Sequence, residues 1–375
     1  MTTAGDHQHL PLEGLDALIG LLRDRGYTVI GPVLGDGAIV LGEITSDADL
    51  PAGWTDEQDA GSYRLRRRDD AARFGHVVGP DSLKRFTLPP SLHVFSARRG
   101  EDGAVTVEPD VPEPRRLAFL GVRSCDLHAT GILNTVLRSG AVPSAPADET
   151  LVISVQCGEA GGTCFCTSMG TGPRAESGFD LALTEVLEDG EHWFGVEVGS
   201  PAGAELAAAL PLRPATAPEA AAARERPERA AAQMGRTMDT GDLRDLLLGN
   251  LEHPRWEQVA DRCLSCANCT LACPTCFCVE VADTGDAAGR TAEREQRWAS
   301  CFTVDHSHLH GGSVRATTSS RYRQWMTHKL STWLDQFGSS GCVGCGRCIT
   351  WCPVGIDITE EVAAIRASDG REGPA

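Results

Sequence analysis

The sequence contains no apolar run of about 18 residues, the length that a membrane-spanning helix requires. Its first residues, MTTAGDHQHLPLEG, lack the basic and apolar regions of a secretory signal, so we expect a cytoplasmic protein with no membrane anchor. Positive charge is also scarce, because 34 Lys and Arg residues stand against 52 Asp and Glu residues and give a formal net charge of −18. Phosphate binding requires clustered cations, so this balance argues against a nucleic-acid partner.

Catalytic signatures are missing as well. The sequence has no G-x-S-x-G nucleophile turn, no H-E-x-x-H metal helix and no phosphate-binding loop. The Gly35-Asp36-Gly37 segment lies between two apolar runs with no helix pattern after it, which is typical of a β-hairpin and not of a nucleotide loop. The sequence therefore predicts no active site within this chain.

What the sequence has in abundance is cysteine, with 15 residues, eleven of which follow residue 260. In a small secreted protein they would suggest a disulfide framework. We expect this chain of 375 residues in a reducing compartment, where thiols stay free. Metal binding is therefore the favoured role for the cysteines.

Two cysteine quartets share the spacing C-x2-C-x2-C-x3-C-P, in the segments CLSCANCTLACP and CVGCGRCITWCP. This is the bacterial ferredoxin pattern, in which three cysteines of a quartet hold one cluster and the fourth ligates the other cluster. We therefore predict two [4Fe–4S] clusters with crossed ligands. One set is Cys263, Cys266, Cys269 and Cys352, and the other is Cys342, Cys345, Cys348 and Cys273. Zinc is the alternative, although structural zinc usually takes two separated cysteine pairs.

A long insert, residues 274–341, separates the quartets and includes the segment SSRYRQWMTHKLSTWLDQFG. Its large apolar residues recur at spacings of three and four, which predicts helix and indicates a helical form of dicluster ferredoxin domain. Four cations of the insert would either favour reduced clusters by offsetting their negative charge or simply cover a solvated helix face. They are Arg315, Arg321, Arg323 and Lys329.

The N-terminal half has the pattern of an α/β domain. The segment PLEGLDALIGLLRDRGY predicts an amphipathic helix. The apolar runs 115–122 and 150–156 predict buried strands with a helix between them. Strands joined in this way are usually parallel neighbours, and their carboxyl ends meet in one crevice.

Four further cysteines are predicted to meet at that crevice. Cys125 and Cys157 directly follow the two strands, and the Gly161-Gly162 turn would fold Cys164 and Cys166 back toward them. Four thiols around one point predict a third iron–sulfur cluster. Zinc binding and ordinary buried thiols are the alternatives.

We expect an α+β protein in which an N-terminal α/β domain is followed by a helical dicluster ferredoxin domain. The predicted limits are 1–215 for the first domain, 216–240 for a linker rich in Ala, Pro and charge, and 241–375 for the second domain. Within the first domain, residues 178–199 suggest a helix followed by a short strand.

Some candidate ligands remain without a predicted cluster. Three thiols between the quartets are expected to have a structural role or to pack beside a cluster, with a further cluster or simple burial as the alternatives: Cys276, Cys278 and Cys301. Three alternating histidines beside two glycines favour a polar loop over a metal site: His306, His308 and His310.

Five segments, taken together and in order, resemble a known family. They are YRLRRRDDAARFGHVVGPDSLKRF, GVRSCDLHA, GGTCFCTSMGTGP, CLSCANCTLACPTCFC and CVGCGRCITWCPVGIDI. The chain resembles the β subunit of cytoplasmic, bidirectional, NADP-linked [NiFe] hydrogenases, also called sulfhydrogenases, over roughly residues 60–365. A related subunit occurs in anaerobic sulfite reductase. The two quartets occur in many ferredoxins, so the CDLH and GGTCFCTSMGTGP stretches are the more specific part.

The resemblance implies a heteromeric complex. Its other members would be a large subunit with nickel and iron, a small iron–sulfur subunit, and a flavin subunit that reacts with NAD(P)H. This chain would relay electrons between the flavin side and the hydrogenase side, and would not catalyse a reaction itself. The same role in a sulfite reductase is one alternative, and a zinc-stabilised scaffold without redox function is an alternative of another class.

Overall fold

The structure of the chain is a computed structural model that describes residues 7–110, 115–138, 149–188 and 190–369. Sixteen strands lie within these ranges. They are β1 Gln8–Pro11, β2 Thr28–Gly35, β3 Ala38–Glu43, β4 Trp54–Asp59, β5 Ser62–Arg67, β6 Ser91–Arg99, β7 Val105–Pro109, β8 Arg116–Val122, β9 Glu149–Val155, β10 Leu181–Glu188, β11 Glu191–Val198, β12 Arg213–Pro214, β13 Val279–Gly285, β14 Thr291–Trp298, β15 His308–Leu309 and β16 Gly312–Ser313.

Thirteen α-helices lie within the same ranges. They are α1 Glu13–Asp24, α2 Lys84–Thr87, α3 Ser124–Leu137, α4 Cys166–Met169, α5 Pro201–Ala207, α6 Ala217–Ala232, α7 Leu243–Gly249, α8 Arg255–Ala260, α9 Asn268–Leu271, α10 Thr318–Thr327, α11 Trp333–Phe337, α12 Arg347–Thr350 and α13 Ile358–Ala367.

An eight-stranded mixed sheet, with the order β12-β1-β11-β10-β9-β8-β2-β3, organises the N-terminal half. Its centre is parallel, because β10 pairs with β9, β9 with β8 and β8 with β2, whereas the outer pairs are antiparallel. The predicted strand–helix–strand unit is confirmed as β8, α3 and β9, with Leu117 facing Thr150 in parallel register. The carboxyl ends of β8 and β9 therefore meet at one edge of the sheet, where two cysteine-bearing loops begin.

Both faces of this sheet are covered. Helix α1 packs on one face, where Leu15 and Leu22 share a core with Leu120 of β8, so the predicted amphipathic helix is confirmed. Because side chains alternate along a strand, Phe119 of β8 points to the opposite face and packs there with Leu83. The parallel strands in the middle are buried by both layers.

The predicted hairpin around Gly35-Asp36-Gly37 is also confirmed. Strands β2 and β3 pair in antiparallel register up to Gly35 and Ala38. Asp36 and Gly37 both have left-handed backbone, with φ of 52° and 75°. This is the two-residue turn that fits the twist of a hairpin.

Residues 178–199 correct one expectation, because they form two strands and not a helix followed by a strand. β10 and β11 pair in antiparallel register from Leu181–Val198 to Glu188–Glu191. The first six residues of β10 are buried between β9 and β11. Its sequence, LALTEVLE, therefore lacks the polar alternation that identifies a half-exposed strand.

The segment expected to be a linker begins with helix α6. A capping box between Thr216 and Glu219 starts the helix. Ala223 of α6 is buried against Val186 of β10 and Trp193 of β11, so the helix packs on the N-terminal sheet. The domain limits themselves stay a prediction.

A second sheet joins the two halves of the chain. Its order is β13-β14-β6-β7, and all of its pairs are antiparallel. The hairpin β13–β14 belongs to the insert between the quartets, whereas β6 and β7 belong to the N-terminal half. Sequence analysis predicted no strands in the insert, so this link between the halves is a finding of the structure.

The C-terminal half contains helices α7 to α13, and its core, which includes Trp256, Tyr322, Trp325 and Met326, also takes in Phe165 of the N-terminal half. The predicted insert helix is confirmed as α10 and α11, joined by a π-helical turn at His328–Thr332. Over the residues that the structure describes, no helix has both the length and the apolar character needed to cross a membrane.

Candidate metal centres

The first candidate centre is a cavity near the surface of the C-terminal half. Its lining includes the four cysteines of one predicted set, Cys263, Cys266, Cys269 and Cys352. Cys263 and Cys266 lie in the loop that leads into α9, Cys269 lies in α9 itself, and Cys352 follows α12. Cys266 is exposed whereas Cys352 is buried, so this cavity reaches the surface on the Cys266 side.

The second candidate centre brings together the other predicted set, Cys342, Cys345, Cys348 and Cys273. Burial raises the pKa of Cys348 well above its usual range, and the adjacent thiols of Cys342, Cys345 and Cys273 raise it further. Cys342 and Cys345 lie in the loop that leads into α12, Cys348 lies in α12 itself, and Cys273 follows α9. The structure thus gathers the cysteines in the crossed arrangement that the spacing predicts, while their role as ligands stays a prediction.

The two quartet loops have the same backbone design. The amide of Ser265 donates to Cys263 Sγ at 3.4 Å, and the amide of Gly344 donates to Cys342 Sγ at 3.4 Å. In the first loop, Ser265 and Ala267 have left-handed backbone, with φ of 52° and 69°. Gly344 and Gly346 occupy the equivalent positions of the second loop, with φ of 64° and 76°. Backbone N–H groups directed at sulfur stabilise the charge of a metal-bound thiolate.

The third candidate centre lies at the carboxyl ends of β8 and β9. A single cavity is lined by Cys125, Cys157, Cys164 and Cys166, and also by Cys345. The buried Arg123 holds two of the converging segments together, because its guanidinium donates to Gln156 O at 3.0 Å and to His76 O at 2.7 Å. The structure thus brings together the four thiols that follow the strand ends and the Gly161-Gly162 turn, and their role as ligands stays a prediction.

The chemistry of these donors fits iron–sulfur clusters. Burial raises the pKa of Cys166 to about 12, and the neighbouring thiols of Cys157 and Cys345 add to the effect. Burial raises the pKa of Cys125 well above its usual range. Several buried thiolates side by side are unfavourable unless bound metal offsets their charge. Within the described ranges, no group of three or more His, Cys, Asp or Glu side chains lies close enough together to hold a metal ion directly.

The three centres adjoin one another. Cys345 of the second centre also lines the third cavity, and Cys348 of the second centre also lines the first cavity. The second centre therefore lies between the other two.

The loop Thr163–Cys166 packs directly on the second quartet loop. The amide of Phe165 donates to Gly344 O at 2.9 Å. A Cβ on Gly344 would lie 2.6 Å from Phe165 O, and a Cβ on Gly346 would lie 2.5 Å from Thr163 O. Glycine is required at these two positions because the backbones touch and because both residues have positive φ.

We expect Gly346→Ala to destabilise the protein by about 1–3 kcal/mol, because the new methyl group meets Thr163 O in a left-handed backbone. Ala267 occupies the equivalent position of the first quartet with φ 69°, so Ala267→Gly serves as the matched control and should be neutral or stabilising. Anaerobic denaturant unfolding measures both changes. Equal destabilisation by the two substitutions would contradict the contact described above.

A buried ion pair also links the second and third centres. Arg347, next to Cys348, donates through Nη1 to Asp126 Oδ1 at 2.8 Å and through Nη2 to Asp126 Oδ2 at 2.9 Å. Asp126 follows Cys125, and both members of the pair are buried. The pair is not evident from the sequence, because its members are 221 positions apart.

The insert cations differ in their relation to the clusters. Lys329 is buried and donates to Cys273 Sγ at 3.3 Å and to Gly341 O at 3.2 Å. Arg321 is buried but donates to the backbone oxygens of Arg315 and Ala316. Arg323 bonds to Leu251 O and to the exposed Glu252. Lys329 is thus the cation in direct contact with a predicted ligand.

A second buried lysine, Lys84, was not anticipated. Its ammonium donates to Thr270 O at 3.3 Å and to Leu271 O at 3.1 Å, and it lies 4.1 Å from the ring centroid of Trp298. Burial lowers the pKa of Lys84, while the thiols of Cys276 and Cys273 act in the opposite direction. Nothing in the local sequence identifies this lysine, because its partners come from the other half of the chain.

The remaining cysteines form two separate contacts. Cys276 is hydrogen bonded to Cys273, beside the second centre. Cys278 is hydrogen bonded to Cys301 and to His306. His308 and His310 are exposed in and beside the short strand β15.

The fold and the cysteine arrangement together indicate the class of protein. The chain has mixed α and β structure, and its C-terminal half carries the cysteine framework of a ferredoxin-type domain. The family model for the 4Fe-4S dicluster domain matches residues 262–356. The β subunit of sulfhydrogenase 2 from Pyrococcus furiosus is 32% identical over 323 residues, which is 81% of this chain and 92% of that protein. The chain therefore belongs to the family of sulfhydrogenase β subunits, as its motifs predicted. No solved structure matches the chain.

Proposed function

We propose that this chain is the electron-transfer subunit of a [NiFe] hydrogenase complex. It would relay electrons between a flavin subunit that binds NAD(P)H and the large and small hydrogenase subunits. The observation that carries the proposal is the continuity of the three cysteine centres, with Cys345 bordering the third cavity and Cys348 bordering the first. The kinship with a sulfhydrogenase β subunit supports a hydrogenase as the setting.

We assign twelve cysteines as ligands, in three sets of four. Two [4Fe–4S] clusters and a third iron–sulfur cluster would supply one-electron redox chemistry when bound at these sets. The sets are Cys263, Cys266, Cys269 and Cys352; Cys342, Cys345, Cys348 and Cys273; and Cys125, Cys157, Cys164 and Cys166.

Both ends of this series lie near the surface, which a relay between two partners requires. At the first centre, the exposed side chains of Leu264 and Val354 flank the cavity beside Cys266. At the third centre, Glu159 lines the cavity and its side chain is 49% exposed. At the second centre, which lies between the other two, Cys342, Cys345 and Cys273 are buried and Cys348 is half-buried. The chain's own contribution is to hold the thiols in sequence and to exclude water from the middle of the series.

Lys329 would adjust the redox potential of the second centre. Burial alone would lower the pKa of Lys329, but the thiols of Cys273 and Cys276 raise it well above its usual range, so the ammonium stays charged. A buried cation that donates to a ligand sulfur stabilises the reduced, more negative state.

We expect Lys329→Met to lower the midpoint potential of one cluster by roughly 60–130 mV. A charged hydrogen bond contributes about 1.5–3 kcal/mol, and for one electron about 59 mV corresponds to a tenfold change in the equilibrium constant, or about 1.4 kcal/mol. Potentiometric titration followed by EPR spectroscopy measures the shift. Arg323→Met is the control, because Arg323 contacts the surface residue Glu252 and no predicted ligand. The assignment of Lys329 fails if both variants shift the same signal equally.

The proposed function is tested by purifying the chain anaerobically from its own cells with a tag and identifying its partners. We expect a nickel-containing large subunit and a flavin subunit to co-purify, and the visible absorption to bleach with NADPH only when the flavin subunit is present. A sirohaem protein in place of the nickel subunit would assign the chain to a sulfite-reducing complex. A colourless chain that contains zinc would contradict electron transfer altogether.

A further inference from the structure

Cys278, Cys301 and His306 form a cluster of side chains that the proposed electron path does not use. Cys278 directly precedes β13 and Cys301 follows β14 after two residues, so the two thiols lie at the base of one hairpin. The last paired residues of that hairpin are Val279 and Trp298, and the amide of Ala299 donates to Cys278 O at 2.9 Å.

The two thiols are in contact. The Cys278 side chain is hydrogen bonded to the Cys301 side chain on one side and to the His306 imidazole on the other. Both cysteines are half-buried and His306 is exposed, so a small reagent in solvent has access to the group. Two neighbouring thiols on a backbone already fixed by the hairpin need little movement to become covalently linked.

We propose that Cys278 and Cys301 are a redox-active thiol pair that reacts with low-molecular-weight disulfides and closes to an intrachain disulfide. Cys278 is the attacking thiol, His306 is the residue that holds it as a thiolate, and Cys301 is the resolving thiol. This reaction is independent of the electron relay proposed above, because neither thiol belongs to the three ligand sets.

The chemistry is ordinary thiol–disulfide exchange. Cys278 Sγ attacks one sulfur of an external disulfide RSSR, which forms the Cys278–SR bond and releases RS⁻, protonated to RSH. Cys301 then loses its proton and attacks Cys278 Sγ, forming the Cys278–Cys301 bond and releasing the second RSH. Two electrons pass from the protein thiols to the external disulfide, so the overall reaction is two Cys–SH plus RSSR giving one Cys–S–S–Cys plus two RSH.

The electrostatic surroundings support the assignment of roles. The hydrogen bond from Cys301, followed by that from His306, lowers the pKa of Cys278 to about 4. The contact with Cys278 raises the pKa of His306, whereas Arg315 nearby opposes and Glu280 favours its protonation. His328 also faces the Cys278 thiol. The Cys278 contact, followed by burial, raises the pKa of Cys301, so Cys301 is the protonated member of the pair.

The test uses the full chain, purified anaerobically with its iron, and glutathione disulfide as the reagent. After an acid quench and alkylation of free thiols, mass spectrometry maps each cysteine, and iron is counted at every time point. We expect a peptide pair that joins residues 278 and 301 to accumulate while the iron content stays constant. Failure of this pair to appear, or its appearance only after iron is lost, would overturn the proposal.

Three variants separate the roles. With Cys301→Ser, the reaction should stop at a glutathione adduct on Cys278; with Cys278→Ser, Cys301 should react at least about tenfold more slowly than Cys278 does in the unchanged chain. His306→Gln should slow the first step by about tenfold at slightly acidic pH, where an ordinary thiol is mostly protonated. Because His306 is exposed, this variant should fold normally. Equal reaction rates of Cys278 and Cys301 in the single variants would show that the two thiols have no distinct roles.

Discussion

Cys266→Ala and Cys164→Ala are each expected to remove about four iron atoms per chain, and the two losses should add in the double variant. Cys266 belongs to the first centre and Cys164 to the third, and the structure places them in separate cavities. An iron–sulfur cluster that lacks one of its four thiolates is easily lost, because the thiolates hold the cluster together as a set. The measurement is iron and acid-labile sulfide per chain after anaerobic purification.

The control for this prediction is Cys301→Ala, which removes a half-buried thiol that no predicted set includes. It should leave about 12 iron atoms per chain, as in the unchanged protein. A Cys164→Ala variant that keeps all of its iron would contradict the third cluster while leaving the two ferredoxin-type sites intact. Circular dichroism of each variant distinguishes loss of a cluster from loss of the fold.

The structure explains which parts of these sites the sequence alone could reveal. The two quartets are readable because ligand spacing within a quartet is local and fixed by a short loop. The third set was also predictable, because Cys125 and Cys157 each follow a buried strand and parallel strands bring their carboxyl ends together. In both cases a local pattern determines the position of the side chain.

The parts that sequence analysis missed depend on contacts between distant segments. Strand β14 pairs with β6 from the other half of the chain and β13 pairs with β14, and no local alternation in the insert identified these strands. Strand β10 was misread as helix because it is buried on both faces. Lys84 and Arg347 look like ordinary surface residues in sequence, yet each is buried by partners far along the chain. Such positions are determined by tertiary packing, which overrides local pattern.

Asp126→Ala is expected to destabilise the protein by about 3–5 kcal/mol, because it leaves the buried Arg347 guanidinium without its counter-ion. Arg347 is only 2% exposed, so water cannot replace the lost carboxylate. Its other partners are the backbone oxygens of Gly79 and Asp81, which carry no full charge. Because Asp126 adjoins Cys125 and Arg347 adjoins Cys348, we also expect weaker retention of iron at the third centre. Denaturant unfolding and iron counts measure the two effects.

Two controls separate the buried charge from the hydrogen-bond geometry. Asp283 and Arg294 form a bidentate pair with similar distances, 2.6 and 2.7 Å, but on the exposed hairpin β13–β14, so Asp283→Ala should leave stability nearly unchanged. The double variant Asp126→Leu with Arg347→Met removes both charges and should recover much of the stability lost in Asp126→Ala, since apolar residues of similar volume often replace a buried ion pair without cost. If the double variant is as unstable as Asp126→Ala, the loss comes from packing around Asp126 and not from the unpaired guanidinium. If it recovers stability but not iron at the third centre, the ion pair acts mainly to align the Cys125 loop with the second quartet loop.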